Sequence, residues 1–168
     1  MNKQSKIIIL RGNSGSGKTT VAKALQNKFG QGTLLISQDS IRREMLWVKD
    51  GRGTKVLPLL LELIKYGKEN CEVVILEGIL NANWYRELFE YIRLDFNSSI
   101  YAYYYDIPFE VTLLRHQTKP NYTEFGENEM KRWWQEKDYI SIIPEKIITS
   151  DFALDKTVHM IYEDVMMG

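Results

Sequence analysis

The residues with the clearest chemistry form one run near the N-terminus. Gly12-Asn13-Ser14-Gly15-Ser16-Gly17-Lys18-Thr19-Thr20 satisfies the pattern GxxxxGK[ST] at every fixed position. A triphosphate tail carries several negative charges that need compensation once they leave water. Glycines let the backbone curl until consecutive N–H groups converge on the β-phosphate, and the helix that starts near Gly17 adds its positive end. Lys18 supplies a mobile point charge for the β and γ oxygens, and the Thr19 hydroxyl suits Mg²⁺. A dinucleotide fingerprint fits less well, because Thr20 occupies the place of its third glycine and Lys18-Thr19 has no role there. The run is expected to bind ATP or GTP with Mg²⁺.

Further candidates are the polar residues at the ends of apolar runs, because an open α/β sheet binds ligands at the carboxyl ends of its strands. Ser37-Gln38-Asp39-Ser40-Ile41-Arg42 follows one such run, and Asp39 and Arg42 stand three apart. On a first helical turn both face one side, where the carboxylate could accept a proton from an attacking hydroxyl and the guanidinium could hold substrate or developing charge. The plainer readings are a helix cap for Asp39 and a solvated helix residue for Arg42. Glu77 ends Val73-Val74-Ile75-Leu76 at a place suited to supporting the metal through water or accepting from a substrate hydroxyl. Asp106, before Ile107-Pro108, is expected to cap the next helix. Arg115 and Lys119, then Lys131 and Arg132, could form a cationic lid over the transferring phosphoryl group, although Arg115 also suits a helix C-terminus. Trp133-Trp134 is expected to pack rather than stack on a ligand, and the Tyr101–Tyr105 run to serve the sheet.

The elements that must position these residues alternate along the chain. Strands are predicted at Lys6–Leu10, Thr33–Ser37, Val73–Glu77, Ser99–Tyr105 and Lys146–Ile148. Helices are predicted at Lys18–Phe29, Ser40–Trp47, Lys55–Lys68, Trp84–Leu94, Pro108–Gln117, Glu127–Tyr139 and Asp155–Met166. Short apolar strands between helices imply a parallel sheet covered on both faces. Lys49–Thr54 and Thr118–Gly126 read as irregular, where substrate loops and lids are expected.

The 168 residues fit one domain, 1–168, with a lid segment at about 115–132. Lys plus Arg and Asp plus Glu both total 22, a balance that gives no general attraction to nucleic acid or an anionic membrane. The single cysteine, Cys71, is expected to be a small buried side chain and builds no disulfide or zinc site alone. No run approaches the roughly 20 apolar residues of a membrane span, and a cytoplasmic location is expected.

The loop GNSGSGKTT, the segment Ser37–Arg42 and the run Asp106-Ile107-Pro108-Phe109-Glu110 leading to Arg115 resemble the P-loop kinase group that includes polynucleotide 5′-kinase domains, zeta toxins and chloramphenicol phosphotransferase. Ile75-Leu76-Glu77-Gly78-Ile79-Leu80 is also similar to the matching strand of uridine kinases. The resemblance runs from Lys6 to about Lys119. It implies a three-layer α/β/α fold with a five-stranded parallel sheet in the order 2-3-1-4-5. It also implies Asp39 as general base, Arg42 at the acceptor and Arg115 on the lid, with Lys119 departing from the group's second arginine. The expected activity is ATP- and Mg²⁺-dependent transfer of the γ-phosphoryl group to a hydroxyl of a small molecule such as a nucleoside, sugar or antibiotic. A polynucleotide 5′-kinase is an alternative that charge neutrality disfavours. An ATPase or switch module without an acceptor is another.

Overall fold

The computed structural model describes residues 3–119, 123 and 125–168. Five strands make one parallel sheet: β1 (Lys6–Gly12), β2 (Leu34–Ser37), β3 (Val73–Gly78), β4 (Ile100–Tyr105) and β5 (Lys146–Ile148). Their spatial order is β2-β3-β1-β4-β5, as the resemblance implied. The long helices are α1 (Lys18–Phe29), α3 (Val56–Asn70), α4 (Arg86–Phe96), α5 (Phe109–Gln117) and α7 (Leu154–Met167). Shorter turns are α2 (Gln38–Ser40), which runs into a π-helical stretch at Ile41–Leu46, and α6 (Glu127–Trp133).

Alternation along β1 builds both layers, since successive strand side chains point to opposite faces. Ile7 and Ile9 join Val74, Leu76, Leu60, Ile64, Phe89 and Ile92 in a core beneath α3 and α4. Ile8 and Leu10 join Ile75, Val21, Leu25, Ile161 and Val165 in a core beneath α1 and α7. Burying strands on both faces is what lets them be apolar throughout. Register then lines up the strand ends, with Ser37 beside Glu77 and Gly12 beside Tyr105.

Three expectations need correction. The helix predicted over Glu127–Tyr139 stops at Trp133, and residues 134–145 form an irregular strap whose Ile140 and Ile143 enter the α4-side core. The reason is a competing set of hydrogen bonds. The Asn13 side-chain amide accepts from the Gln135 N–H at 2.8 Å and donates to the Gln135 carbonyl at 2.7 Å. Those backbone groups are then unavailable to continue a helical ladder. Asp106 does not cap α5. Pro108 takes the cap position in extended conformation, and the Asp106 carboxylate instead accepts from Lys137 at 2.6 Å. Cys71 is half-buried rather than buried. Trp133 and Trp134 pack edge-on against Phe125 and Phe109, as expected. Among the described residues no helix is long and apolar enough to cross a membrane.

Candidate active site

The loop between β1 and α1 depends on backbone shapes that side chains oppose. Gly15 has φ 80°, and a Cβ there would lie 2.4 Å from the Thr112 carbonyl of α5. Gly17 has φ 100° and ends the loop at the first turn of α1, whose leading N–H groups lack intrahelical acceptors. Lys18 folds back into this cradle, donating to the Asn13 carbonyl at 2.8 Å and the Ser16 hydroxyl at 3.3 Å. Burial pulls its pKa down to about 8, against the opposing charge of Glu77. Its partners are all neutral oxygens, so a phosphate oxyanion would be a stronger acceptor than any it now has.

Beside the loop, the Thr19 hydroxyl donates to Glu77 Oε1 at 2.9 Å and the Ser37 hydroxyl donates to the same oxygen at 2.7 Å. The pairing of Ser37 with Glu77 across β2 and β3 sets that geometry. Two hydroxyls and a carboxylate are hard oxygen donors at the mouth of a phosphate cradle, which fits Mg²⁺. Ser37 has no role in the sequence reading; only the register reveals it.

Asp39 lies in the first turn of α2, with Ser37 and not Asp39 at the cap position. Its Oδ1 accepts from Arg42 at 2.7 Å and from Arg43 at 2.9 Å. Burial raises the carboxyl pKa, but the Arg43 hydrogen bond and charge, followed by those of Arg42, outweigh it and leave the group below its ordinary value. Arg42 also donates to the Val48 carbonyl at 3.4 Å, which ties it to the start of the 49–54 loop. On the other wall, Arg115 donates to the Ser16 carbonyl at 2.6 Å, one turn beyond the Thr112 contact with Gly15. Lys119 is half-buried, and its pKa is lowered by burial while the charges of Glu77 and Asp39 oppose the shift.

The fold therefore brings Gly12–Thr20, Ser37, Asp39, Arg42, Glu77, Arg115 and Lys119 to one crevice at the carboxyl edge of the sheet. It leaves Arg132 out. That side chain is 72% exposed and faces Glu129 at 3.7 Å. Arg43, and Asn13 as a bracket for Gln135, carry no signal in local spacing, and neither do the partners of the buried Arg11. Arg11 alone hints at its role, because it continues the fully buried alternation of Ile7 and Ile9.

The wider comparisons agree with this architecture. The Mycobacterium tuberculosis APS kinase solved with AMPPNP and APS superposes with a TM-score of 0.69 at 19% identity, covering 98% of this chain and 99% of that one. A gluconokinase from Sinorhizobium meliloti 1021 gives 0.61 at 16%, covering 99% and 94%. The tunicamycin resistance protein of Deinococcus radiodurans gives 0.66 at 16%, covering 96% of each chain. At these identities the likeness establishes the P-loop kinase fold. No curated protein sequence matches the chain. The AAA domain family matches residues 7–137, a span that includes the loop, Asp39, Glu77 and Arg115, and the chain belongs to that family.

Proposed function

We propose that this chain is an ATP- or GTP-dependent, Mg²⁺-requiring kinase that transfers the γ-phosphoryl group to a hydroxyl of a small molecule. One observation carries the reading. An ionised acid, Asp39, sits in the same crevice as the phosphate loop, within electrostatic reach of Lys18 and Lys119. A carboxylate able to take a proton from an attacking hydroxyl, with a guanidinium 2.7 Å from it, suits transfer to an acceptor. The likeness to a gluconokinase and an APS kinase supports the same class.

Each residue then has a task. The Gly12–Thr20 amides and Lys18 hold the β and γ oxygens, while Thr19 and Glu77 hold the metal directly or through water. When bound there, Mg²⁺ would offset the negative charge of the phosphate oxygens. Asp39 takes the acceptor's proton as the new O–P bond forms and the bond to the leaving diphosphate breaks. Arg42 orients the acceptor, and Arg115 stabilises charge on the equatorial oxygens. Lys119 acts with Arg115 on a lid at about 115–132, of which residues 120–122 and 124 lie outside the described residues, within a single domain spanning the chain. Arg132 contributes less, because it points to Glu129 and solvent.

Asp39→Asn is expected to preserve nucleotide affinity while cutting turnover by about 10²–10⁴-fold. The check is coupled ADP release over a panel of nucleosides, sugars, antibiotics and a short 5′-hydroxyl oligonucleotide. Near-normal turnover in the variant would remove Asp39 from the mechanism. Phosphorylation of the oligonucleotide alone selects the polynucleotide kinase, and full-rate ADP release without acceptor selects the ATPase or switch.

A further inference from the structure

Arg43, one residue past Arg42, lies between the two walls of the crevice. Its Nε donates to Asp39 Oδ1 at 2.9 Å, while Arg42 Nη2 reaches the same oxygen at 2.7 Å. Both guanidiniums therefore bind one oxygen, and among the described residues the other oxygen of Asp39 has no partner. The guanidinium carbon of Arg43 lies over the ring of Phe125, 5.4 Å from its centre, in the connection between α5 and α6. Phe125 is itself held tightly. It stacks on His116 at 4.2 Å, meets Trp133 at 4.9 Å, and its carbonyl accepts from His116 Nε2 at 2.7 Å. His116 is 2% exposed, so this cluster is anchored in the body of α5.

Exposure decides what the contact does. The Asp39 side chain is 54% exposed and that of Arg43 33%, and an exposed ion pair of this kind is weak and poorly oriented by itself. A guanidinium pinned on an aromatic face loses that freedom, because its edge and its face are used at once. We propose that Arg43 is a positioning residue for phosphoryl transfer. Its guanidinium is clamped by the Phe125–His116–Trp133 cluster and fixes the Asp39 carboxylate so that one oxygen stays available to the acceptor hydroxyl. The inference rests on the kinase reading for the purpose of the carboxylate, but not for the clamp itself. The charged groups that face Asp39 are Arg42 and Arg43, three and four residues on, Lys18 from α1 and Lys119 from just past α5.

The test uses the full chain with Arg43→Gln, Arg43→Lys, Phe125→Leu and the Gln–Leu double variant. Two readouts are taken: ¹³C NMR titration of the Asp39 carboxyl without ligands, and kcat and KM with ATP, Mg²⁺ and whichever panel compound the wild type phosphorylates. Arg43→Gln is expected to raise the Asp39 midpoint and lower kcat about tenfold, with acceptor KM changed by less than about twofold. Phe125→Leu keeps bulk but loses the ring, and is expected to shift both readouts in the same direction by less. The double variant should match Arg43→Gln alone, since the ring acts through the guanidinium. Lysine should restore part of the midpoint but not kcat. Wild-type midpoint and kcat in Phe125→Leu, additive losses in the double variant, or full rescue by lysine would each overturn the clamp. If the wild type phosphorylates nothing in the panel, the kinase reading fails while the titration still decides whether the clamp exists.

Discussion

Two buried cations stand seven residues apart, one on β1 and one opening α1, and their surroundings are opposite. Arg11 is fully buried and fully matched. It reaches Glu145 at 3.0 and 3.2 Å, Asp138 at 2.8 Å and the Leu80 carbonyl at 2.9 and 3.1 Å. The rings of Phe89 and Tyr104 lie 5.3 and 5.5 Å from its guanidinium carbon. Lys18 is 7% exposed, but it has only a carbonyl and a hydroxyl to donate to. Arg11 closes a structural joint between β1, the segment after β3 and the strap. Lys18 is left under-compensated, which suits the anion-binding role proposed for it. The contrast separates architecture from chemistry among residues that composition counts alike.

The sharpest way to break that contrast is to remove each cation. Arg11→Met strands Glu145, 2% exposed, and Asp138 without their partner, and is expected to cost about 3–5 kcal/mol in chemical denaturation. Lys18→Met should leave stability unchanged or slightly higher, because a costly buried ammonium is replaced by an apolar chain. It should also abolish measurable ATP binding by calorimetry. If Arg11→Met melts like the wild type, the joint is not structural. If Lys18→Met binds ATP normally, the loop assignment falls.

A proton can serve as a gentler probe of Lys18. Its pKa in the folded, ligand-free chain is about 8, below the ordinary lysine value of 10.5. Between those values the unfolded chain keeps a proton that the folded chain has lost, so this group's contribution to stability rises with pH through that window. Triphosphate binding has the opposite sign, because the bound anion favours the charged ammonium. Affinity should be full below about pH 8 and fall as pH rises, by on the order of 30-fold between pH 7 and 9.5. Calorimetric titrations at those two values check it, and a flat profile would mean that Lys18 stays charged in the free protein.

The same contrast explains what was legible in the sequence. The loop, Glu77 and the strands are local patterns. Ile7–Leu10 alternates between two cores, and a Gly-rich turn must follow it for a helix to begin at Lys18. Asp39 and Arg42 were legible because three residues on one turn share a face. The Arg11 joint was not, since Asp138 and Glu145 lie 127 and 134 residues away in sequence. Periodicity says nothing about partners that distant. The helix expected to run to Tyr139 failed for the same reason, because Asn13, 122 residues upstream, takes the backbone of Gln135. Arg43 was overlooked beside Arg42 because its significance comes from Phe125, across the crevice.

The smallest test compares two tyrosines two residues apart on β4. The Tyr103 hydroxyl donates to Asp164 at 2.7 Å, whereas the Tyr105 hydroxyl is buried without a partner among the described residues. Both side chains lie on the α1 face of the sheet, in one core cluster. Deleting a partnered hydroxyl loses a hydrogen bond to a carboxylate, so Tyr103→Phe is expected to cost about 1–2 kcal/mol. Deleting an unpartnered one removes only an unpaid desolvation, so Tyr105→Phe should be neutral or stabilising by up to about 1 kcal/mol. Paired denaturant melts of the two variants read the difference directly. Tyr105 pairs in register with Gly12, the first residue of the loop, and its Cβ packs against that glycine. If Tyr105→Phe is as destabilising as Tyr103→Phe, that hydroxyl has a partner in solution, and the floor of the loop is as fully matched as the Arg11 joint.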